Sequence, residues 1–347
     1  MSHTWNEIVS QGEVWKDVLR ELGQSEVVKE ILESSKHPRK WIFVGCGTSY
    51  YLAESAAMSW TMLTGRPAHA LPSSEVLLFP EAVRADEGAV QAVTISRSGR
   101  TSETLRAASV LREELLIPTV GITCEAKSEL EAICEKTIAL TGIDEKSMVM
   151  TQSFTSMLMS LQFLAACQSG NTQFIAELKQ MAEEFAPRIE AVGAAMESFV
   201  AKHTFADFIF LGQGAFHGIA REAALKVMEM SCSYSQFFHT LEFRHGPKAI
   251  VEPTVCLTFF LSDRGQEAET EVLTEMKELG GTTIAVCNRA SDAVKAASDL
   301  VFEMNSPAPA SLAPYAVLGQ FLGYFTGIKK GLDPDHPKNL TRVVVLD

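Results

Sequence analysis

The chain has 347 residues, of which 46% are hydrophobic and 21% are charged, a composition typical of a globular protein with room for two domains. Acidic residues outnumber basic ones by 43 to 30, and the formal net charge of −13 argues against a nucleic-acid partner. The seven cysteines form no C-x-x-C pair, which is typical of reduced thiols. Since no apolar run reaches the roughly 20 residues of a membrane helix and no signal peptide is evident, we expect a soluble, cytoplasmic protein without a membrane partner.

In chain order, the residue pattern predicts two α/β domains connected by helices. Residues 1–30 have the composition of a helix, and residues 31–165 alternate apolar strands with amphipathic helices. Residues 166–200 end a stretch rich in Met, Leu and Ala, which indicates a helical linker to a second domain over 201–332. The Pro-punctuated tail, 333–347, predicts an extended arm.

The second domain repeats the first. Short apolar runs between helical segments are typical of parallel strands, and in the first domain they lie at about 41–45, 91–96, 119–123 and 136–140. In the second domain, matching segments follow in the same order: WIFVGCGTSYYLAESAA is similar to FIFLGQGAFHGIAREAA, ISRSGRTSET to LSDRGQEAET, and TVGITC to TIAVC. The sequence therefore predicts a duplicated three-layer α/β/α domain with a mainly parallel, flavodoxin-like sheet.

Each copy carries a glycine turn after its first strand. Ligands of doubly wound sheets bind at the carboxyl ends of the strands, where these turns fall. The turn GCGTSY at 45–50 opens a helix, as a phosphate-binding turn does. A tight strand-to-helix turn without a ligand is nevertheless the more common use of a lone G-x-G.

The turn SRSGRT at 96–101 concentrates hydroxyl groups where a helix begins. Ser96, Ser98 and Thr101 could bind an anion together with backbone N–H groups, and Arg97 or Arg100 could add positive charge. Ordinary N-capping of the helix by Ser or Thr is an equal alternative.

The two copies have diverged at this turn. In the second copy the matching residues read SDRGQE, and they include Asp263 and Glu267. These carboxylates would repel a phosphate, so we predict that the first copy binds it.

The run ALKVMEMSCSYSQFFHTLEFRHGPKAI, residues 224–250, contains most of the other charged candidates. Lys226 and Glu229 are three residues apart on one helical face, where a solvated ion pair is the common explanation. His245 lies on a Gly-Pro turn, which favours a functional site over a core histidine. The His and acidic residues show no metal-binding arrangement such as H-E-x-x-H, and we expect no metal or other cofactor.

Together these motifs resemble the double sugar-isomerase (SIS) domain family, which includes the isomerase half of glucosamine-6-phosphate synthase. The matching stretches run in family order from residue 41 to residue 340: GCGTSY, ISRSGRTSET, FLGQG, AREAALKVMEMS, LEFRHGP and DPDHPKNL. The resemblance implies two tandem SIS domains, a phosphorylated sugar substrate and a C-terminal tail near the active site. It also implies a homodimer whose subunits share active-site residues.

The resemblance also assigns roles to individual residues. Glu229 matches the carboxylate that moves a proton between C1 and C2, and His245 matches the histidine that helps to open the sugar ring. Lys226 and Glu242 match further active-site positions. The residues expected to bind substrate are Thr48, Ser49, Ser96, Arg97, Ser98, Thr101 and Arg342.

The chain departs from the synthase pattern in ways that change the expected chemistry. It contains no glutamine-hydrolysing domain, so glutamine is not the expected nitrogen donor for this chain alone. The synthase lysine that forms a Schiff base aligns with Arg342, and an arginine stays protonated and forms no imine. The phosphate turn reads S-R-S instead of S-Q-S and, with MVMTQSFTSM at 148–157, resembles the stand-alone catabolic members.

Three functions are compatible with this pattern. The first is an enzyme that isomerises an amino-sugar 6-phosphate and releases ammonia, with Glu229 moving the proton. The second is the same carbon chemistry in a fructosamine-6-phosphate deglycase or a tagatose-6-phosphate-type ketose/aldose isomerase. The third is a non-catalytic sugar-phosphate sensor, against which the retained Glu229 and His245 argue.

Overall fold

The computed structural model describes residues 2–36, 40–84, 89–307 and 310–346. They divide into two compact units, which we call the N-terminal and the C-terminal α/β unit. The N-terminal unit consists of Glu13–Glu145 and Gln152–Gln180, together with the end of the chain from Thr341. The C-terminal unit consists of Lys146–Thr151 and Met181–Leu340, together with the start of the chain as far as Gly12.

Among the described residues, the helices outnumber the strands in both units. In chain order they are α1 (His3–Val9), α2 (Gln11–Gln24), α3 (Glu26–Ser34), α4 (Thr48–Thr64), α5 (Ser73–Leu78), α6 (Glu81–Arg84), α7 (Ser102–Ser109), α8 (Glu129–Ile133), α9 (Gln152–Ser169), α10 (Thr172–Phe185), α11 (Ile189–Lys202), α12 (Phe216–Ser231), α13 (Gln266–Glu278), α14 (Asp292–Ala296) and α15 (Ala313–Lys329). Shorter helical turns lie at Val110–Glu114, Ala186–Arg188, Glu242–Arg244 and Pro247–Ile250.

Each unit contains one sheet within the described residues. The strands are β1 (Lys40–Gly45), β2 (Ala68–Pro72), β3 (Val90–Ile95), β4 (Thr119–Thr123), β5 (Lys136–Ala139), β6 (Asp207–Gly212), β7 (Tyr234–Phe238), β8 (Val255–Phe260), β9 (Thr282–Cys287) and β10 (Leu300–Glu303). Their orders are β2-β1-β3-β4-β5 and β10-β9-β8-β6-β7, and every strand pairing in the described residues is parallel. Read in reverse, the second order is β7-β6-β8-β9-β10, which corresponds strand by strand to the first. Because the two sheets thus have the same order, the predicted duplication and the mainly parallel α/β fold are confirmed.

In the N-terminal unit, helices cover the sheet. Strands β3 and β4 are almost entirely buried, as expected for apolar runs covered on both faces. The indole rings of Trp41 and Trp60 lie 4.0 Å apart between β1 and α4, and α4 also packs against α9. Trp15 donates a hydrogen bond of 3.0 Å to Thr155 on α9. Since α9 is buried over nearly its whole length, it belongs to the core of this unit.

In the C-terminal unit, a close helix pair supports the sheet. Helix α15 places Gly319, Gly323 and Gly327 against α12. A Cβ at Gly323 would lie 2.7 Å from the carbonyl oxygen of Lys226, and a Cβ at Gly327 would lie 2.3 Å from that of Met230. Glycine therefore lets the two backbones come into contact, and this contact buries the face of α12 that carries Lys226.

Several boundaries differ from those predicted. The described part of residues 1–30 contains α1, α2 and most of α3 instead of one helix. The helical stretch after residue 151 is divided, because α9 belongs to the N-terminal unit and α11 to the C-terminal unit. The strand predictions for the first copy missed β2, and no strand was predicted at the positions of β7 and β10. All three are edge strands that are only partly buried.

The C-terminal tail has no helix or strand between residues 333 and 346. Its first part is held at the start of α1, where Asp335 accepts hydrogen bonds from the backbone of His3, at 2.8 Å, and Thr4, at 2.7 Å. Among the described residues, no helix is both long enough and apolar enough to cross a membrane.

Candidate functional site

The two G-x-G turns have the same geometry. A Cβ at Gly45 would lie 2.7 Å from the carbonyl oxygen four residues later, and one at Gly212 would lie 2.3 Å from its counterpart. The second glycines, Gly47 and Gly214, have positive φ angles of 52° and 59°. The first glycine of each turn permits the close approach of the two backbone segments, and the second adopts the left-handed backbone conformation without strain. The repeated motif therefore encodes a sharp strand-to-helix turn in both units.

In the N-terminal unit this turn lies beside the candidate phosphate loop, residues 96–101. Strands β1 and β3 are neighbours in the sheet, and the turn follows β1 while the loop follows β3. Helix α4 begins directly at Thr48, and both Thr48 and Ser49 are buried in its first turn. The structure therefore brings the predicted substrate-binding residues of both segments together at the carboxyl ends of the strands of one sheet.

The hydroxyl groups of the phosphate loop form hydrogen bonds within the loop itself. Ser96 accepts a hydrogen bond of 3.1 Å from the N–H of Gly99, and its hydroxyl lies 3.2 Å from that of Thr101. The hydroxyl of Ser98 accepts from the N–H of Arg100 at 3.2 Å. Thr101 is the N-cap residue of α7, but its side chain makes no capping hydrogen bond there. Simple N-capping by Thr101 therefore does not account for the hydroxyl cluster.

The two arginines of the loop have different surroundings. Arg100 is exposed, whereas the side chain of Arg97 is 8% exposed and forms an ion pair of 2.9 Å with Glu145. The second amino group of Arg97 donates to the carbonyl oxygen of Arg342 at 2.9 Å. Arg342 in turn donates to the carbonyl oxygen of Glu145 at 2.5 Å. Substrate binding by Arg97 and Arg342 stays a prediction, and in this structure both side chains bond to protein atoms.

The equivalent loop of the C-terminal unit is closed by its own carboxylate. Ser262 donates to Glu269 from its N–H at 2.7 Å and from its hydroxyl at 2.9 Å. Helix α13 begins immediately after Gly265, whereas α7 begins three residues after Gly99, and the earlier start brings Glu269 onto Ser262. Burial raises the pKa of Glu269, although the bonds from Ser262 oppose the shift.

The sequence did not indicate the carboxylate that occupies this second loop. It pointed to Asp263 and Glu267, but the side chain that occupies the turn is Glu269. Its counterpart Glu103 is identical in the alignment of the two copies, so the difference could not be read from residue types. The different start of the following helix determines it.

Lys226 lies at the centre of a buried charge cluster on α12. Its ammonium is fully buried, lies 3.3 Å from Glu222 and forms a hydrogen bond with Glu229. Glu222 is 1% exposed and Glu229 is 16% exposed. The solvated ion pair considered from the sequence is therefore wrong, because packing against α15 removes Lys226 from water.

The two carboxylates keep this lysine charged. Burial by itself lowers the pKa of Lys226, but the attraction of Glu222 and Glu229 outweighs burial and leaves the pKa raised. Of the three groups, Glu229 has the greatest access to solvent. The arrangement suits a carboxylate that exchanges protons next to a fixed positive charge. Glu222 was not predicted from the sequence, although its i,i+4 spacing to Lys226 was a usable signal.

Glu242 and His245 lie on an exposed loop of the C-terminal unit. Glu242 begins a single helical turn, and its carbonyl oxygen accepts from the N–H of His245 at 3.0 Å. The loop is fastened to α13 because Arg244 and Lys248 both bond to Glu275, at 2.9 Å and 2.5 Å. Both predicted residues are thus accessible on a loop held by ion pairs.

A second histidine lies at the carboxyl ends of β6 and β7. The ring of His217, in the first turn of α12, stacks on that of His239 with 3.8 Å between centroids. Burial, helped by the charges of His239 and Arg221, lowers the pKa of His217 to about 4. His217 was not predicted from the sequence, because a lone histidine after a glycine turn carries no distinguishing pattern.

The sequence of the chain is similar to that of known proteins. The family model described as the SIS domain matches residues 36–167 and 206–322. The isomerizing glutamine–fructose-6-phosphate aminotransferase of Pyrobaculum aerophilum is 29% identical over 319 residues, which cover 89% of this chain and 52% of that protein. The chain spans about half the length of the curated relatives it matches.

Solved structures show the same fold over the whole chain. The glucosamine-6-phosphate deaminase of Thermotoga maritima is 29% identical with a TM-score of 0.79, covering 99% of this chain and 100% of that one. The tagatose-6-phosphate ketose/aldose isomerase of Escherichia coli is 21% identical with a TM-score of 0.82, covering 98% of this chain and 97% of that one.

Proposed function

Because the chain belongs to the SIS domain family, we propose that it is a sugar-phosphate isomerase that converts an amino-sugar 6-phosphate into a ketose 6-phosphate and ammonia. The observation that carries this proposal is the cluster on α12, where a buried, protonated Lys226 holds the more accessible carboxylate of Glu229. Similarity to the Thermotoga deaminase along 99% of the chain supports the choice of substrate class.

The substrate phosphate binds in the N-terminal unit. The hydroxyl groups of Ser49, Ser96, Ser98 and Thr101, with backbone N–H groups of the two turns, are the donors. The equivalent loop of the C-terminal unit already holds the carboxyl group of Glu269, which supports a single phosphate position per chain.

Proton transfer is the task of the charge cluster. Glu229 removes the proton from C2 of the open-chain amino sugar and returns it to C1. One proton of the amino group passes to the C1 oxygen, which yields a ketimine at C2 and a hydroxyl group at C1. Water then adds to the ketimine carbon, and ammonia leaves to give the ketose. His245 assists ring opening, and Lys226 holds the carboxylate of Glu229 in position through their hydrogen bond. No Schiff-base lysine is required, in agreement with arginine at position 342.

The test is an ammonia-release assay with glucosamine 6-phosphate and galactosamine 6-phosphate, in which ketose phosphate is measured in parallel. We expect ammonia and ketose phosphate in equal amounts. The Glu229→Gln variant should lose activity by about 10²–10⁴-fold while it still binds the sugar phosphate. Glu278→Gln, an exposed glutamate of the same unit, is the matched control and should retain full activity.

The outcomes separate the competing functions. Undiminished activity of Glu229→Gln would refute the proton-transfer role. Aldose–ketose exchange without ammonia would favour a simple isomerase. Release of free lysine from fructoselysine phosphate would favour a deglycase, and tight binding without any turnover would favour a sensor.

A further inference from the structure

We propose that Arg97 is a positioning residue, which fastens the terminal segment of the chain, residues 341–346, along the phosphate loop. This inference rests on the proposed function, since it assigns a purpose to a residue between two predicted phosphate-binding serines. Its side chain bonds to Glu145 and to the backbone of the terminal segment. Arg97 therefore acts on the phosphate through the shape of the loop.

The ion pair that holds Arg97 is itself anchored. Glu145 is 2% exposed and accepts hydrogen bonds from the N–H of Ser153, at 3.1 Å, and from its hydroxyl, at 2.5 Å. Ser153 lies in the first turn of α9, where unpaired N–H groups and the helix dipole stabilise a carboxylate. Because α9 is part of the core, Arg97 is attached to a rigid element.

The backbone of the same arginine fixes the loop. Its carbonyl oxygen accepts from the N–H of Cys124 at 2.9 Å and from the hydroxyl of Thr123 at 3.0 Å. Both partners follow or end β4, the strand next to β3. Arg97 is thus held from both its backbone and its side chain, and the serines on either side of it have little freedom.

The terminal segment is attached at both ends of the phosphate loop. At one end, Arg342 accepts from Arg97 with its carbonyl oxygen and donates to Glu145. At the other end, the carbonyl oxygen of Val344 accepts from the N–H of Ser102 at 3.2 Å, and the N–H of Leu346 donates to the hydroxyl of Ser102 at 2.9 Å. Ser102 is the first residue of α7, so the segment runs beside the loop from its start to its end.

Of the contacts that hold the terminal segment, those of Arg97 depend most on the identity of the side chain. The bonds at Ser102 use backbone groups of the terminal segment, which any residue supplies. The Arg97 guanidinium, by contrast, bridges a buried carboxylate and a backbone carbonyl with two amino groups in a fixed plane. A lysine keeps the charge but is a single point donor and cannot reproduce this geometry.

The test measures hydrogen exchange of the terminal segment and binding of inorganic phosphate in the full-length protein. In Arg97→Lys and in Glu145→Gln, we expect faster exchange at the Leu346 N–H and about ten-fold weaker phosphate binding, the effect of losing one hydrogen bond to a charged group. Arg20→Lys, an exposed arginine of the same unit paired with Asp17, is the control and should change neither quantity.

Unchanged exchange in Arg97→Lys would overturn the inference, as would faster exchange with undiminished phosphate affinity. Weaker phosphate binding with unchanged exchange would show that Arg97 contacts the phosphate directly, which also overturns it. If Arg97→Lys does not fold, Glu145→Gln tests the same attachment. Neither measurement requires turnover, so a failure of the deaminase assay leaves this test intact.

Discussion

Replacing Lys226 by methionine should destabilise the protein strongly. The ammonium is fully buried and pairs with Glu222, which is 1% exposed, and with Glu229, which is 16% exposed. Methionine keeps much of the side-chain volume but leaves Glu222 as a buried carboxylate without its cation. Breaking a buried ion pair in this way costs about 3–5 kcal/mol. Since the whole free energy of unfolding of a domain is about 5–15 kcal/mol, the loss should be easily measured.

A double variant tests whether the buried carboxylate of Glu222 causes the loss of stability in Lys226→Met. Glu222→Gln with Lys226→Met replaces the buried charges by neutral groups of similar size, and Glu229 retains access to water. We expect the double variant to recover at least half of the stability that Lys226→Met loses. Glu222→Gln alone should cost less, about 1–3 kcal/mol, because Lys226 keeps Glu229 as its partner.

Urea unfolding followed by circular dichroism measures these differences in the free energy of unfolding. The slope of this free energy against urea concentration shows whether the unfolded or the native state has also changed. If Lys226→Met and the double variant lose the same stability, the cost comes from packing and not from an unpaired carboxylate. A loss below about 1 kcal/mol in Lys226→Met would contradict the assignment of the cluster as buried charge.

Two further predictions concern the turns and the histidine pair. Gly45→Ala should lower the melting temperature, by the equivalent of about 1–3 kcal/mol, because its Cβ would lie 2.7 Å from backbone atoms of Ser49; Gly23→Ala, whose Cβ would meet nothing within 4 Å, should not lower it. His217 has an ordinary pKa of 6.5 when unfolded and about 4 when folded, so the unfolded state binds more protons between these values and stability should fall as the pH decreases from 6.5 towards 4. In His217→Gln, chemical denaturation at pH 7 and pH 5 should show a smaller decrease, and an unchanged decrease would assign it to other groups.

The strand predictions succeeded or failed according to burial. The runs at β1, β3 and β4 were recognised because continuous apolar residues are typical of strands covered on both faces. The edge strands β2 and β7 alternate half-buried with exposed residues, and their short patterns resemble loops. The edge strand β5 was nevertheless predicted, so strand recognition from this sequence is weaker at the edges of the sheets but does not fail at all of them.

The candidate site was predicted as a set of residues but not as a set of partners. Ser49 and Ser96 were placed correctly at one edge of the sheet, because the neighbouring strands β1 and β3 end there. The partner of Arg97 is 48 residues away in the chain, and its contact with Arg342 spans 245 residues. Contacts between residues so far apart in the chain leave no local sequence pattern from which they could be predicted.

By itself, the sequence determined the duplication, the alternation of strands and helices within each copy, and the sharp turns at Gly45 and Gly212. These features depend on local properties, namely apolar periodicity and the backbone freedom of glycine. Only the tertiary structure decided which charges are buried and what they contact. Lys226 and Glu229 have the spacing of a surface ion pair, and only the close packing of α15 on α12 removes the lysine from water. Burial depends on residues far away in the chain, and it changes a surface charge pair into a candidate catalytic group.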